Sequence, residues 1–150
     1  MDLVRALDLA RRVPRDAWLL AAFLAAVAAL RVPSLGQPLL EWHGFRQTWT
    51  AWTAVLFHTE GIDLLHPKVP IFGPPWILPS ELPLFQVLGA LLMNAGMPAD
   101  PAMRVAGLVS FVAAAAALWL LVRDVAGRAV AFAAVALFTL TPLAFLWSRT

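Results

Sequence analysis

Two uncharged stretches, residues 105–122 and 129–147, decide most of what this chain can become. They run for 18 and 19 residues without an ionisable side chain, and only the turn Arg123-Asp124-Val125-Ala126-Gly127-Arg128 parts them. A helix needs about 20 apolar residues to cross the roughly 30 Å hydrocarbon core of a bilayer. Both stretches therefore read as spans joined in a hairpin. Composition points the same way: 61% of the 150 residues are apolar, 13% are charged, and mean hydropathy is +0.78. Soluble domains carry about 45–50% apolar and about 25% charged residues. The expected class is an all-α integral membrane protein, because a spanning helix satisfies its backbone polar groups internally.

Charge limits the partners. Ten arginines and one lysine stand against nine acids, a net +2 that is too small and scattered for a nucleic-acid surface. Arginines beside apolar runs instead set membrane orientation. There is no cysteine, which excludes disulfides, a thiol nucleophile and thiolate metal sites. Residues 1–16 alternate apolar and charged positions and predict an amphipathic segment on the cytoplasmic membrane surface. Arg5, Arg11, Arg12 and Arg15 precede the first apolar run and place the N-terminus in the cytoplasm. That run, residues 17–30, is short for a span. Arg31 snorkelling to the interface and Val32 extend it to 17–32. A cleaved signal peptide has a similar pattern, but a signal anchor is favoured because further membrane segments follow. A twin-arginine export reading of Arg11-Arg12 is weaker.

Residues 33–104 read as a large outward loop. Pro33, Gly36 and Pro38 end the first helix, and helical period returns over 45–58, where Phe45, Trp49, Trp52 and Leu56 form one stripe. Such a stripe suits the headgroup layer, or packs on neighbouring spans. Gly61 stops that helix, and proline-rich sequence through Pro79 predicts an irregular segment. Residues 82–93 are apolar, but 12 helical residues reach only about 18 Å, which predicts an interfacial or half-inserted helix. If 82–93 does not cross, the basic turn at 123–128 returns to the side of the N-terminal arginines, in keeping with the charge rule. Three spans are expected, with four as the alternative. Pro142 kinks or ends the last of them, and Arg149 emerges on the outer side.

The outward loop holds all three histidines, the only lysine and all three glutamates. A membrane protein that gathers its ionisable groups in one place is expected to bind or react there. The loop begins Glu41-Trp42-His43-Gly44-Phe45-Arg46-Gln47, continues through Phe72-Gly73-Pro74-Pro75-Trp76, and reaches Glu81-Leu82-Pro83-Leu84. With Arg104 opening the next helix, a short basic turn, and Pro142 to Arg149 closing the last, this order resembles the membrane glycosyltransferases of the GT-C fold. More narrowly, it is similar to bacterial relatives of the dolichyl-phosphate-mannose protein mannosyltransferases (glycosyltransferase family 39-like). Those enzymes run to several hundred residues, so the chain looks like the N-terminal portion of one.

The resemblance implies a site at the outer face of a bacterial inner membrane. There a sugar would pass, with inversion, from a polyprenyl-phosphate donor to a hydroxyl acceptor. Such transfer needs a base for the acceptor proton and fixed positive charge for the departing lipid phosphate. Glu41 is the candidate base; its other reading is a capping or solvated loop acid. Arg46, at a helix start, suits phosphate, though a headgroup contact would also use it. Gln47 and His43 are candidate substrate contacts, with a satisfied loop histidine as the plainer reading of His43. Glu81 is a candidate contact to lipid carrier or sugar, or a cap for the helix after Pro83. Arg149 would add a second cation or be a simple helix-end arginine. No cofactor is specified, and a divalent metal ion stays open, although His58, Glu60, Asp63 and His66 fit no tight zinc spacing. Expected partners are membrane lipid, the lipid-linked sugar and the acceptor. A non-catalytic scaffold or remnant that binds polyprenyl phosphate is the alternative, and a transporter element is disfavoured because the two long spans lack ionisable groups.

Overall fold

The computed structural model describes residues 15–36, 44–69, 74, 76–77 and 82–141. Among the described residues the chain is helical: α1 (Arg15–Ala29), a 3-10 turn (Val32–Ser34), α2 (Gly44–Glu60), α3 (Leu84–Asn94), α4 (Ala99–Ala126) and α5 (Arg128–Leu140). One isolated antiparallel bridge joins Lys68 to Ile77. Two segments, Arg15–Ser34 and Ala99–Ala126, are long and apolar enough to cross a membrane. The amphipathic segment expected before residue 15, and the end of the last apolar run with Pro142, lie outside the described residues.

α4 is the spine. Its 28 residues extend about 42 Å, more than a hydrocarbon core requires, and two separate cores form along it. The C-terminal half meets α1 and α5. Gly127, at φ 84°, reverses the chain in one residue and donates its N–H to the Arg123 carbonyl, a conformation in which a Cβ would strain the backbone. Ala115 and Ala131 are fully buried, so the two helices approach closely, as small residues allow. Phe111 stacks on Phe138 at 5.3 Å between ring centroids, and Trp119 meets Phe132 edge-on at 6.2 Å. α1 adds Leu20 and Leu24 to this core. An ion pair at 3.2 Å between Asp16 and Arg128 sets the N-terminus of α1 beside that of α5. Those two helices are thus parallel, and both oppose α4.

The N-terminal third of α4 carries α2 and α3. Gly96, at φ 95°, turns α3 back into α4, so this pair is antiparallel. Gly89 lets Met103 and Ala54 close on the α3 backbone: a Cβ there would sit 2.4 Å from the Met103 sulfur and 3.4 Å from the Ala54 Cβ. One turn further on, His58 Nδ1 lies 2.5 Å from Asn94 Oδ1. Contacts at 54–89 and 58–94 run in the same direction, so α2 and α3 are parallel. Their N-termini open at one end, the end facing the α1–α5 layer.

Two expectations change, and a third divides between its two readings. The helix predicted over 105–122 begins at Ala99, behind Pro98 and with Asp100 in its first turn, so residues 99–104 are helix rather than loop. Along the tryptophan stripe on α2, Trp52 is 49% exposed while Trp49 and Leu56 are half-buried; Gln47, Thr53, Ala54 and Phe57 are buried. Ala54 meets α3 where Gly89 leaves room for it. Arg31 does not snorkel. It is 3% exposed, donates to the carbonyls of Val27 at 2.8 Å and Thr139 at 3.3 Å, and stacks 4.5 Å from the Phe111 ring. The last turns of α1 and α5 both leave carbonyls without intrahelical partners, and one guanidinium serves the two ends.

Candidate functional site

Of the six residues assigned from sequence, Arg46 and Gln47 fall among the described residues; Glu41, His43, Glu81 and Arg149 lie outside them. Arg46 and Gln47 sit in the first turn of α2, about 100° apart around its axis, and that rotation separates their fates. Arg46 is exposed and Gln47 is buried. Neither amide atom of Gln47 meets a hydrogen-bond partner among the described residues. A buried primary amide without partners loses roughly 1–3 kcal/mol per unsatisfied group, so this orientation calls for a polar counterpart. Around Arg46, the hydroxyls of Thr48 and Thr50 donate back to the carbonyls of Gly44 and Arg46.

The parallel pairing of α2 and α3 brings two distant stretches of sequence together. The register that sets Ala54 at Gly89 and His58 at Asn94 puts Gln47 level with Leu82 and Pro83. The first turn holding Arg46-Gln47 and the helix start after Leu82-Pro83 therefore share one end. Gln86, one turn along α3 on the Gly89 face, is also buried, as is Arg104 on α4. Along the α4 axis the register puts Gln47, Gln86 and Arg104 within about 10 Å of one another, and Phe111 with its Arg31 lies about 10 Å beyond Arg104. A belt of buried polar groups thus runs through the junction of the two layers. Arg31, Gln86 and Arg104 were not assigned as site residues from sequence. The signal that marks the two arginines is their place at the edge of an apolar run, where a hydropathy reading treats charge as a boundary.

The opposite end of α2, about 21 Å from Arg46, carries a second polar group. Glu60, Gly61, Asp63, His66 and Lys68 line a cleft of about 350 Å³ with Leu56, Phe57 and Ile77. Asp63 Oδ1 accepts the N–H groups of Leu65 at 3.0 Å and His66 at 3.1 Å, and Oδ2 lies 3.1 Å from His66 Nδ1. These backbone amides, Leu65 first and then His66, hold the Asp63 carboxyl below its usual range; the His66 side chain adds a smaller push. Lys68 pairs with Glu60. The four residues weighed as a metal set are thus spread over three pairings, with His58 on Asn94. Among the described residues no three His, Asp or Glu side chains are grouped to hold a metal ion.

No family model, curated protein or solved structure matches the chain.

Proposed function

We propose that the chain is the N-terminal membrane portion of a GT-C-type glycosyltransferase, with its site where the N-termini of α2 and α3 meet the α1–α4–α5 layer. In this reading the residue 15–34 segment, α4 and the run begun by α5 are three spans. The end bearing Arg15, Arg123 and Arg128 is cytoplasmic, and α2 and α3 form the outer layer. An acceptor oxygen attacks the anomeric carbon as the bond from that carbon to the phosphate oxygen breaks, with inversion. Glu41 takes the acceptor proton. The electron pair leaves with the polyprenyl phosphate, whose charge is met by Arg46, the amides at the α2 N-terminus, and Arg149. His43, Gln47 and Glu81 contact substrate, and no metal has an assigned role.

The observation that carries this reading is the shared end of α2 and α3. The two motifs behind the resemblance, 34 residues apart between Gln47 and Glu81, enter parallel helices side by side, and the buried Gln47 amide at that end lacks a partner. Because the chain has no cysteine, single-cysteine labelling tests it directly. Glu41→Cys and Arg149→Cys should react with an impermeant maleimide from outside, and Asp124→Cys only after lysis. A photoreactive polyprenyl phosphate should label residues 41–47 or 81–84, with the label reduced roughly tenfold by Arg46→Ala. Opposite sidedness of residues 41 and 149, or labelling that unlabelled polyprenyl phosphate does not compete, refutes the proposal. The 150-residue chain alone is expected to bind without turnover; measured sugar transfer would show the site to be complete.

A further inference from the structure

We propose that the cleft at the C-terminal end of α2 binds a neutral polyhydroxylated ligand, a saccharide ring or short chain, at a site separate from the transfer centre. The argument begins with charge. Glu60 is paired with Lys68, and Asp63 with the backbone amides of Leu65 and His66 and with the His66 ring. An inorganic anion or a simple cation would have to break one of these pairings. Hydrogen-bonding capacity nevertheless remains on the rim: the second Glu60 oxygen, the other ammonium protons of Lys68 and the distal ring nitrogen of His66. Donors and acceptors thus lie side by side around the cleft, with the Asp63 charge met by backbone N–H groups, which suits hydroxyl groups that both give and accept.

The other wall is apolar. Leu56, Phe57 and Ile77 line the same space and offer a surface for the C–H face of a sugar ring. The cleft's volume lies at the small end of ligand pockets, about 300–1,000 Å³. Each polar group is also held in place before a ligand arrives. Asp63 closes its own turn through the two backbone N–H groups. The Thr53 hydroxyl, buried in α2, bonds the Lys68 carbonyl at 3.1 Å, and the Lys68–Ile77 bridge sets the apolar wall across from the ion pair. Such anchoring lowers the ordering cost of binding. The cleft lies about 21 Å along α2 from Arg46, so its occupation is read without any transfer chemistry.

The test is saturation-transfer NMR on the full chain in nanodiscs, which avoids detergents with sugar headgroups. Mannose, maltotriose, glycerol 3-phosphate and choline serve as probes. Saccharide ring protons should receive saturation, and glycerol 3-phosphate and choline should not. Affinity should fall roughly tenfold in Glu60→Gln, with unchanged helicity by circular dichroism. Ile77→Ala, on the exposed apolar wall and outside both ion pairs, should weaken binding as well. No saccharide signal at millimolar concentration, a signal unchanged in both variants, or preference for the phosphate ester or choline overturns the proposal. Loss of polyprenyl-phosphate labelling at the other end of α2 would leave this result untouched.

Discussion

Gly89 is where α3 approaches its neighbours most closely among the described glycines, and its replacement by alanine gives a quantitative test of the packing. On an exposed helix, Gly→Ala stabilises by about 1 kcal/mol. Here the new methyl would stand 2.4 Å from the Met103 sulfur, inside the shortest contact real Cβ atoms make, and 3.4 Å from the Ala54 Cβ. Met103 is 3% exposed, so its side chain cannot swing into solvent, and overpacking of this kind costs about 1–3 kcal/mol. The net expectation for Gly89→Ala is a loss of about 0–2 kcal/mol. Met103→Ala alone empties the contact and should cost about 2–5 kcal/mol. Because the alanine methyl at 89 then occupies space the sulfur has vacated, the double variant should be more stable than the sum of the two changes by about 1–2 kcal/mol. Reversible unfolding in mixed micelles, followed by helicity, reads all four corners of the cycle. Equal effects of Gly89→Ala with methionine or alanine at 103 would mean the two residues do not touch, and the packing of α3 on α4 would lose its main support.

Two further outcomes follow from named contacts. Arg31→Lys should destabilise by roughly 2–3 kcal/mol and by more than Arg31→Met, because lysine keeps a buried charge without the planar fork that reaches Val27, Thr139 and the Phe111 face; the same unfolding assay with the reverse order would show that the guanidinium does not join the two helix ends. Asp63 should titrate below the usual carboxylate range by NMR. Its small contribution to stability is then present above the unfolded-state value near 3.9 and lost as pH falls through the lower folded value. His66→Ala should leave most of the depression in place, since the Leu65 and His66 amides are its larger causes, and a return to the ordinary range would assign it to the ring instead.

What the sequence discloses and what it hides divide along a physical line. Helix existence was legible wherever apolar residues repeat, and stops were legible at Gly61 and Gly127, where positive φ is needed. The start of α4 was misplaced because hydropathy treats Asp100 and Arg104 as the edge of a run. Asp100 in the first turn behind Pro98 is in fact a helix-start signal, and Arg104 is buried within the helix. On α2 the stripe's period left two readings open, and packing divides it: Trp52 is exposed, Trp49 and Leu56 are half-buried, and the contact with α3 falls on Ala54 at Gly89, where small side chains let the helices approach.

The site divides in the same way. Arg46 and Gln47 are neighbours in sequence and both were assigned to substrate, yet the step of about 100° between them exposes the guanidinium and buries the amide. The polar belt was less legible still, because the reason for burying Arg31 lies 108 residues away at the Thr139 carbonyl. No local pattern encodes that need. It arises when α1 and α5 are laid parallel and end at one level, each with last-turn carbonyls that lack intrahelical partners. A guanidinium between them satisfies both ends at once. A search for site residues in such chains should therefore begin at the carbonyl ends of their helices as well as in their loops.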